Sequence, residues 1–311
     1  MSNTDFIKTF RIDRILYHLK KGTLLERIQW ELRQYISRRR LAWWNAQAQN
    51  RIKFVAMLQQ GVKIYLYFDS ELSKYIFFNE FELKERHFLN TFLRPGDVFV
   101  DVGANIGLFT LIAAYLVGAN GRVYSFEPTL EIYQRLNENI RANSFGNVHS
   151  YQWALSDTES EGSLFKSEDG YDAWNSFAKP IAGGTFTTET VHCKRWDDFA
   201  CDNNLMENIA MMKIDVEGWE TLVLKGAFEM LSRKDAPVLL VEFTEDASRS
   251  AGSSCTQLYK SLEELGYKMF IYDDKYRTIA PDPLRDSYSH INLIAAKNPR
   301  FIHNRLRKKP L

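Results

Sequence analysis

Only three cysteines occur in 311 residues, Cys193, Cys201 and Cys255, an odd number without metal-type spacing. That excludes a disulfide framework and a cysteine-built zinc centre, so reduced thiols in a cytoplasmic protein are expected. Long apolar runs are also missing. The longest, Leu108–Ala119, is too short to span a bilayer and follows directly on a glycine-rich turn. The opening segment MSNTDFIKTF has no apolar signal core, so a soluble chain is expected. Internal repeats and low-complexity segments are absent, and the six histidines form no H-x-x-x-H pair. Neither sign of charge dominates, with 40 Lys+Arg against 39 Asp+Glu, which argues against a uniformly basic nucleic-acid binder.

What is present is an ordinary globular composition, 45% hydrophobic and 25% charged, able to bury a full core and unlike disordered, collagen-like or coiled-coil chains. The charge is unevenly spread. Residues 1–53 carry +8 and residues 297–311 carry +6, which leaves −13 for the residues between them. An acidic centre between basic ends calls for an explanation.

Residues 5–60 read as helical: Phe6, Phe10, Ile15 and Leu19 share a face, and Leu24, Leu25, Ile28, Leu32, Tyr35 and Ile36 do so again after Gly22. Residues 62–68 and 75–78 alternate like a small hairpin, and a helical pattern follows over Glu80–Leu93 up to Pro95-Gly96. Strand and helix then alternate. Strands are predicted at 98–101, 122–127, 148–153, 211–216, 238–243, 268–272 and 291–296, with helices after the first, second, fourth and fifth. This pattern predicts a doubly wound α/β sheet, mostly parallel and closed by an antiparallel terminal hairpin. Four parts are expected: a basic helical extension over 1–60, a small hairpin and helix over 61–94, the α/β domain over 95–299 and a basic tail over 300–311. The stretch 158–210, glycine-rich and punctuated by Phe165, Tyr171, Trp174 and Phe177, reads as a β-rich or irregular insertion over the ligand edge of the sheet.

In an open parallel sheet, ligands bind outside the carboxyl ends of the strands. Those ends hold Asp101, Glu127, Asp157, Asp215 with Glu217, and Glu242. Such a crevice repels dinucleotide phosphates and attracts a cation; S-adenosylmethionine, with a sulfonium and an ammonium and no phosphate, fits it. The run Gly103-Ala104-Asn105-Ile106-Gly107 lies between the first strand and a helix, where glycine permits a sharp turn and close ligand approach. Its G-x-x-x-G spacing is not the G-x-G-x-x-G of dinucleotide sites. Glu127 is placed to accept both hydroxyls of a ribose, and Asp157 to approach an adenine amino group. In the fourth strand Lys213, Asp215 and Glu217 fall on one face and Met212, Ile214 and Val216 on the other. A charged stripe there demands mutual pairing or a ligand; a self-satisfied Lys213–Asp215 pair is the structural alternative.

The run Asp101-Val-Gly-Ala-Asn-Ile-Gly107, the Phe126-Glu-Pro128 strand end, Ala154-Leu-Ser-Asp157 and Lys213-Ile-Asp-Val-Glu-Gly218 together resemble the FkbM family of S-adenosylmethionine-dependent methyltransferases. The resemblance covers residues from about 75 to the low 240s and leaves 1–60 outside. It implies the seven-stranded class I methyltransferase fold, S-adenosyl-L-methionine as cofactor, and O-methylation of a hydroxyl on a saccharide, glycolipid or similar small biosynthetic intermediate. Candidate cofactor contacts are Asp101, Gly103, Ala104, Asn105, Gly107, Glu127, Asp157 and Asp215. Candidate catalytic residues are Asp215, Glu217 and Lys213, with Asp215 nearest the methyl donor and Glu217 orienting or deprotonating the acceptor. Trp174, Asn175, Ser176 and Glu242 are candidate substrate contacts. Trp219 stands where the family often has His or Phe and is assigned no catalysis. His149 and His192 are the histidines considered for the site. No metal centre is expected; a magnesium site from Asp215 and other strand-end acids is the alternative. The basic amphipathic N-terminus suits an anionic membrane surface, and so a peripheral location. The rival functions are a nucleic-acid methyltransferase and a non-catalytic cofactor-binding module.

Overall fold

A computed structural model describes residues 24–167, 176–177, 185–206 and 208–307. The chain forms two compact units, Met1–Lys53 and Phe54–Leu311. Within the first, residues Leu24–Ala48 form one helix. The helical face expected over residues 6–19 lies outside the described residues, as do Trp174 and Asn175.

The second unit opens with a small sheet of β1 (Lys53–Met57) and β2 (Lys63–Tyr67). Here the structure departs from the expected hairpin: Tyr75–Phe78 is not a strand but the end of a helix, Glu71–Phe78. Ser70 starts that helix by accepting the Ser73 N–H, and Leu72, Ser73 and Ile76 are its buried face. A short apolar run does not separate strand from helix by periodicity alone, and the cap decided it. The next helix, Leu83–Phe92, buries Phe88, Leu89 and Phe92 completely.

The main sheet contains β3 (Val98–Val102), β4 (Arg122–Phe126), β5 (Val148–Tyr151), β9 (Ile209–Ile214), β10 (Val238–Thr244), β11 (Lys268–Asp273), β12 (Thr278–Pro281) and β13 (Ser289–Ala296). Their order is β12-β11-β13-β10-β9-β3-β4-β5. Strands β5, β4, β3, β9 and β10 run parallel. β13 inserts antiparallel between β10 and β11, and β11 pairs antiparallel with β12. Seven strands were expected; the short edge strand β12 is the eighth, and the last strand lies inside the sheet rather than at its end.

Apolar layers cover both faces. Phe99 and Met211 join the layer with Phe88, Leu111 and Leu136, while Val100, Val102, Met212 and Ile214 join the layer with Trp196, Leu224 and Leu258. The insertion splits in two. Its first part, with β6 (Ala154–Leu155), β7 (Ser160–Ser167) and β8 (Phe186–Lys194), makes a separate three-stranded sheet. Its last part is core: Trp196 is fully buried in the helix Trp196–Asp202, and Asp197 accepts the N–H groups of Glu229 and Met230. The end expected as a basic tail is, over Pro299–Arg307, a helix that buries Ile302 and Leu306. Among the described residues no helix is long and apolar enough to cross a membrane.

Candidate functional site

The chain leaves the sheet's middle at β3, builds outward to β5 and returns beside β3 with β9, so the crevice opens between β3 and β9. Two turns meet there. Gly103 has φ +79°, and a Cβ on it would lie 1.9 Å from the Asp215 carbonyl oxygen. Only glycine lets these two strand ends close on one another. The N–H groups of Gly103 and Ala104 both donate to the Phe126 carbonyl at 3.0 Å. Asn105 also has a left-handed backbone, and its N–H donates to Glu127 Oε2 at 3.1 Å. Glu127 Oε1 accepts the Thr129 N–H at 3.1 Å and the Thr129 hydroxyl at 2.7 Å. The carboxylate is therefore held rigidly at the rim by three donors.

Past β9, Glu217 and Gly218 have φ of 51° and 98°. Glu220 locks this turn: its Oε1 accepts the N–H groups of Val216 and Gly218, each at 3.1 Å. The two turns, with Phe126 and Trp153, wall one cavity that exposes Gly103, Asn105, Glu127, Asp215 and Glu217. The insertion contributes Leu164, Ser176 and Phe177 to it. Ser176 Oγ donates to the Glu217 carbonyl at 2.8 Å, and Phe177 stacks on Trp219 with centroids 4.6 Å apart. Among the described residues no Lys or Arg lines it.

Behind this wall lies a buried charge cluster. Lys213 Nζ donates to Asp215 Oδ2 at 2.6 Å, with its side chain 3% exposed, and sits 4.8 Å from the Phe109 ring centroid. Burial pulls the Lys213 pKa down, but Asp215, Glu82 and Asp101 outweigh it and raise the value. Burial likewise pushes the Asp215 carboxyl up, and Lys213 overcomes it, so Asp215 is held below the usual carboxylate range. Among the described residues Glu217 has no such partner: burial, then Glu242, Asp215 and Glu220, hold its pKa well above normal. Glu242 is raised by burial and by Asp215. Its Oε1 accepts the Thr244 hydroxyl at 2.9 Å and lies 2.9 Å from His290 Nδ1. That hydrogen bond, against the pull of burial, lifts His290 to about 9. Carboxylate oxygens of Asp215, Glu217 and Glu242 all lie within 4.8 Å of one another.

Of the expected site residues, Gly103, Asn105, Glu127, Asp215, Glu217 and Ser176 reach the cavity. Others stand off it for physical reasons. Asp101 turns under the helix Leu108–Val117, where Oδ2 accepts the Thr110 hydroxyl at 2.6 Å. Ala104 is buried and contributes its backbone; Gly107, with φ +94°, packs so that a Cβ would meet Leu136 at 2.6 Å. Asp157 follows β6, in the three-stranded sheet, and accepts the Ser156 hydroxyl at 3.2 Å. Lys213 and Glu242 lie behind the wall, in contact with it through Asp215. His149 stacks on Tyr124 and His192 lies 3.7 Å from Glu161 in an exposed pair, so neither belongs to the cluster. His290 does, although the sequence reading passed over it. The signal was available only through topology: β13 is antiparallel, so its first residues lie at the carboxyl end of β10. Trp219, assigned no role, lines the cavity and closes it against Phe177.

With this geometry in place, comparison with known proteins is informative. The model of the Methyltransferase FkbM domain matches residues 101–269. Methyltransferase 1 of Beauveria bassiana is 28% identical over 148 residues, covering 42% of this chain and 59% of the relative. The protein-L-isoaspartate O-methyltransferase of Ignicoccus hospitalis is 38% identical over 56 residues, 18% of this chain and 26% of the relative. The chain thus spans under two thirds of both curated relatives. The crystal structure of the methyltransferase FkbM of Methylobacillus flagellatus KT superposes with a TM-score of 0.40 at 15% identity, over 83% of this chain and 59% of that one.

Proposed function

The chain belongs to the FkbM methyltransferase family, and on that premise we propose that it transfers a methyl group from S-adenosylmethionine to a hydroxyl oxygen of a saccharide, glycolipid or similar small biosynthetic intermediate. The observation that carries the reading is the convergence of Gly103, Asn105, Glu127, Asp215 and Glu217 on one cavity at the switch point, which no Lys or Arg of the described residues lines. The residues suit the cofactor. Aromatic and aliphatic walls accommodate a base, Glu127 is a fixed acceptor for ribose hydroxyls, and the Asp215 carboxylate, kept ionised by Lys213, complements positive charge. When bound, S-adenosylmethionine supplies a methyl group already activated by its sulfonium. The protein's own work is then orientation and exclusion of water. Trp219 and Phe177 shield the cavity, and Asp215 and Glu217 orient the acceptor hydroxyl and take up its proton. A positioned proton acceptor contributes on the order of 100-fold in rate.

Calorimetry with S-adenosylhomocysteine tests the cofactor assignment. Wild type binds, and Glu127→Ala and Gly103→Val weaken binding; equal affinity in all three rejects the site. Radiolabelled methyl transfer onto a saccharide panel, with RNA and DNA as competitors, tests the acceptor class. Label entering nucleic acid alone would reverse it.

The basic helix adds a location to the reading. Ile28, Leu32, Tyr35, Ile36 and Trp43 are exposed and share one face by helical spacing, with Arg39 among them and Arg33, Arg38 and Arg40 beside them. Such a face suits an anionic lipid surface. Co-sedimentation with phosphatidylserine vesicles at low salt, lost at high salt, is expected; no binding at low salt rejects it.

A further inference from the structure

We propose that Asp215, Glu217 and Glu242 bind one divalent cation of the hard, oxygen-preferring class, such as Mg²⁺ or Mn²⁺, at the carboxyl ends of β9 and β10.

The geometry comes first. Two metal–oxygen bonds of about 2.0–2.6 Å each span up to about 5 Å. Three carboxylate oxygens within 4.8 Å of one another therefore fit a common ion. The donors are all oxygen, with no thiolate, which selects Mg²⁺, Mn²⁺ or Ca²⁺ over softer metals.

The second observation concerns one atom of the cluster. Glu242 is 2% exposed, and while its Oε1 is used by Thr244 and His290, its Oε2 is buried with no hydrogen-bond partner among the described residues. A buried carboxylate oxygen without a donor is unfavourable, and Asp215 beside it increases the penalty. The cations nearby do not relieve this. Lys213 is committed to Asp215 Oδ2 and also faces Asp101 and Glu82. His290 sits on Oε1, the oxygen already served. Glu220, the other acid at this turn, is occupied by two backbone N–H groups. A positive species between Glu242, Asp215 and Glu217 satisfies all three. The competing occupant of that gap is a proton shared by Glu242 and Asp215.

The test uses the full chain, stripped with a chelator and titrated with Mn²⁺ while free ion is read by electron paramagnetic resonance. One bound Mn²⁺ per chain is expected. Glu242→Gln weakens it at least about tenfold, while affinity for S-adenosylhomocysteine, assigned to the cavity that Glu242 does not line, changes less than about threefold. If Glu242→Gln fails to fold, Glu217→Gln decides, because that side chain is only half-buried. No bound Mn²⁺ overturns the proposal in favour of the shared proton. Binding unchanged in both variants places the ion elsewhere and also overturns it. Mn²⁺ binding without S-adenosylhomocysteine binding would reject the methyl-transfer reading and leave the metal site standing.

Discussion

Glu127 and Glu242 are both nearly buried carboxylates at the carboxyl edge of one sheet, 6% and 2% exposed. Glu127 is satisfied by the chain itself, through two backbone N–H groups and a hydroxyl. Glu242 has one oxygen supported and the other without a donor among the described residues, and it faces two further acids. Glu127 is thus a finished acceptor, although Asp101 on β3 also keeps a buried Oδ1 without a donor among those residues. The β9–β10–β13 side gathers three acids around such an oxygen. A shared sheet edge does not imply shared chemistry; the donors around each acid decide whether it waits for a hydroxyl or for a cation.

The largest test of that contrast is Lys213, the one buried ammonium bridging the two sides among the described residues. Lys213→Met leaves Asp215, Asp101 and Glu82 without it and should destabilise the fold by about 3–5 kcal/mol, as breaking a buried pair does. Urea unfolding measures this, and a loss under about 1 kcal/mol would mean the acids relieve one another by protonation. Next is Gly103→Ala. Its Cβ must displace the Asp215 backbone, so we expect about 1–3 kcal/mol of destabilisation together with loss of cofactor binding in calorimetry. Glu127→Ala should be more selective. Losing a charged acceptor is expected to weaken S-adenosylhomocysteine binding by about 1.5–3 kcal/mol, whereas Glu242→Gln leaves it nearly unchanged. Equal losses in the two variants would erase the contrast between the sides.

The pH dependence is a smaller effect. Burial raises Glu82 and Glu220 to about 8 in the folded chain, from the ordinary carboxyl value of about 4.5. Between those values the folded state holds protons that the unfolded chain has released, so stability falls as pH rises from about 4.5 through 8. Thermal melts should show a lower Tm at pH 8.5 than at pH 6; the reverse order would mean these acids are ionised when folded. The smallest effect concerns the thiols. Burial pushes Cys255 up to about 12 and raises Cys193, while Cys201 is exposed. Native protein at pH 8 should react with iodoacetamide at Cys201 alone and at all three cysteines in urea.

Much of the fold was legible because its signals are local. The alternation of apolar strands with helices located all seven core strands, and the glycine turn and Glu127 fell where strand ends place a ligand. The errors have equally physical sources. Tyr75–Phe78 was misread because four apolar residues fit either period, and the Ser70 cap outweighed the alternation. Asp101 was placed in the ligand site because a strand's last residue can face either layer, and packing turned it toward Thr110. Asp157, expected just past strand three, follows β6 instead, because strand three ends at Tyr151 and the chain pairs again in a separate sheet.

By itself the amino-acid sequence determined the strand and helix alternation, the acids at four of the five parallel strand ends and the glycines that let β3 and β9 converge, since periodicity and backbone freedom are properties of neighbouring residues. Tertiary structure alone decided which acids are quenched and which are left wanting. His290 meets Glu242 across 48 positions only because β13 runs antiparallel beside β10. Lys213 reaches Asp215 rather than solvent only because its side chain is buried against the Phe109 ring. Electrostatic balance depends on distance and burial in space, and no stretch of chain read alone contains either.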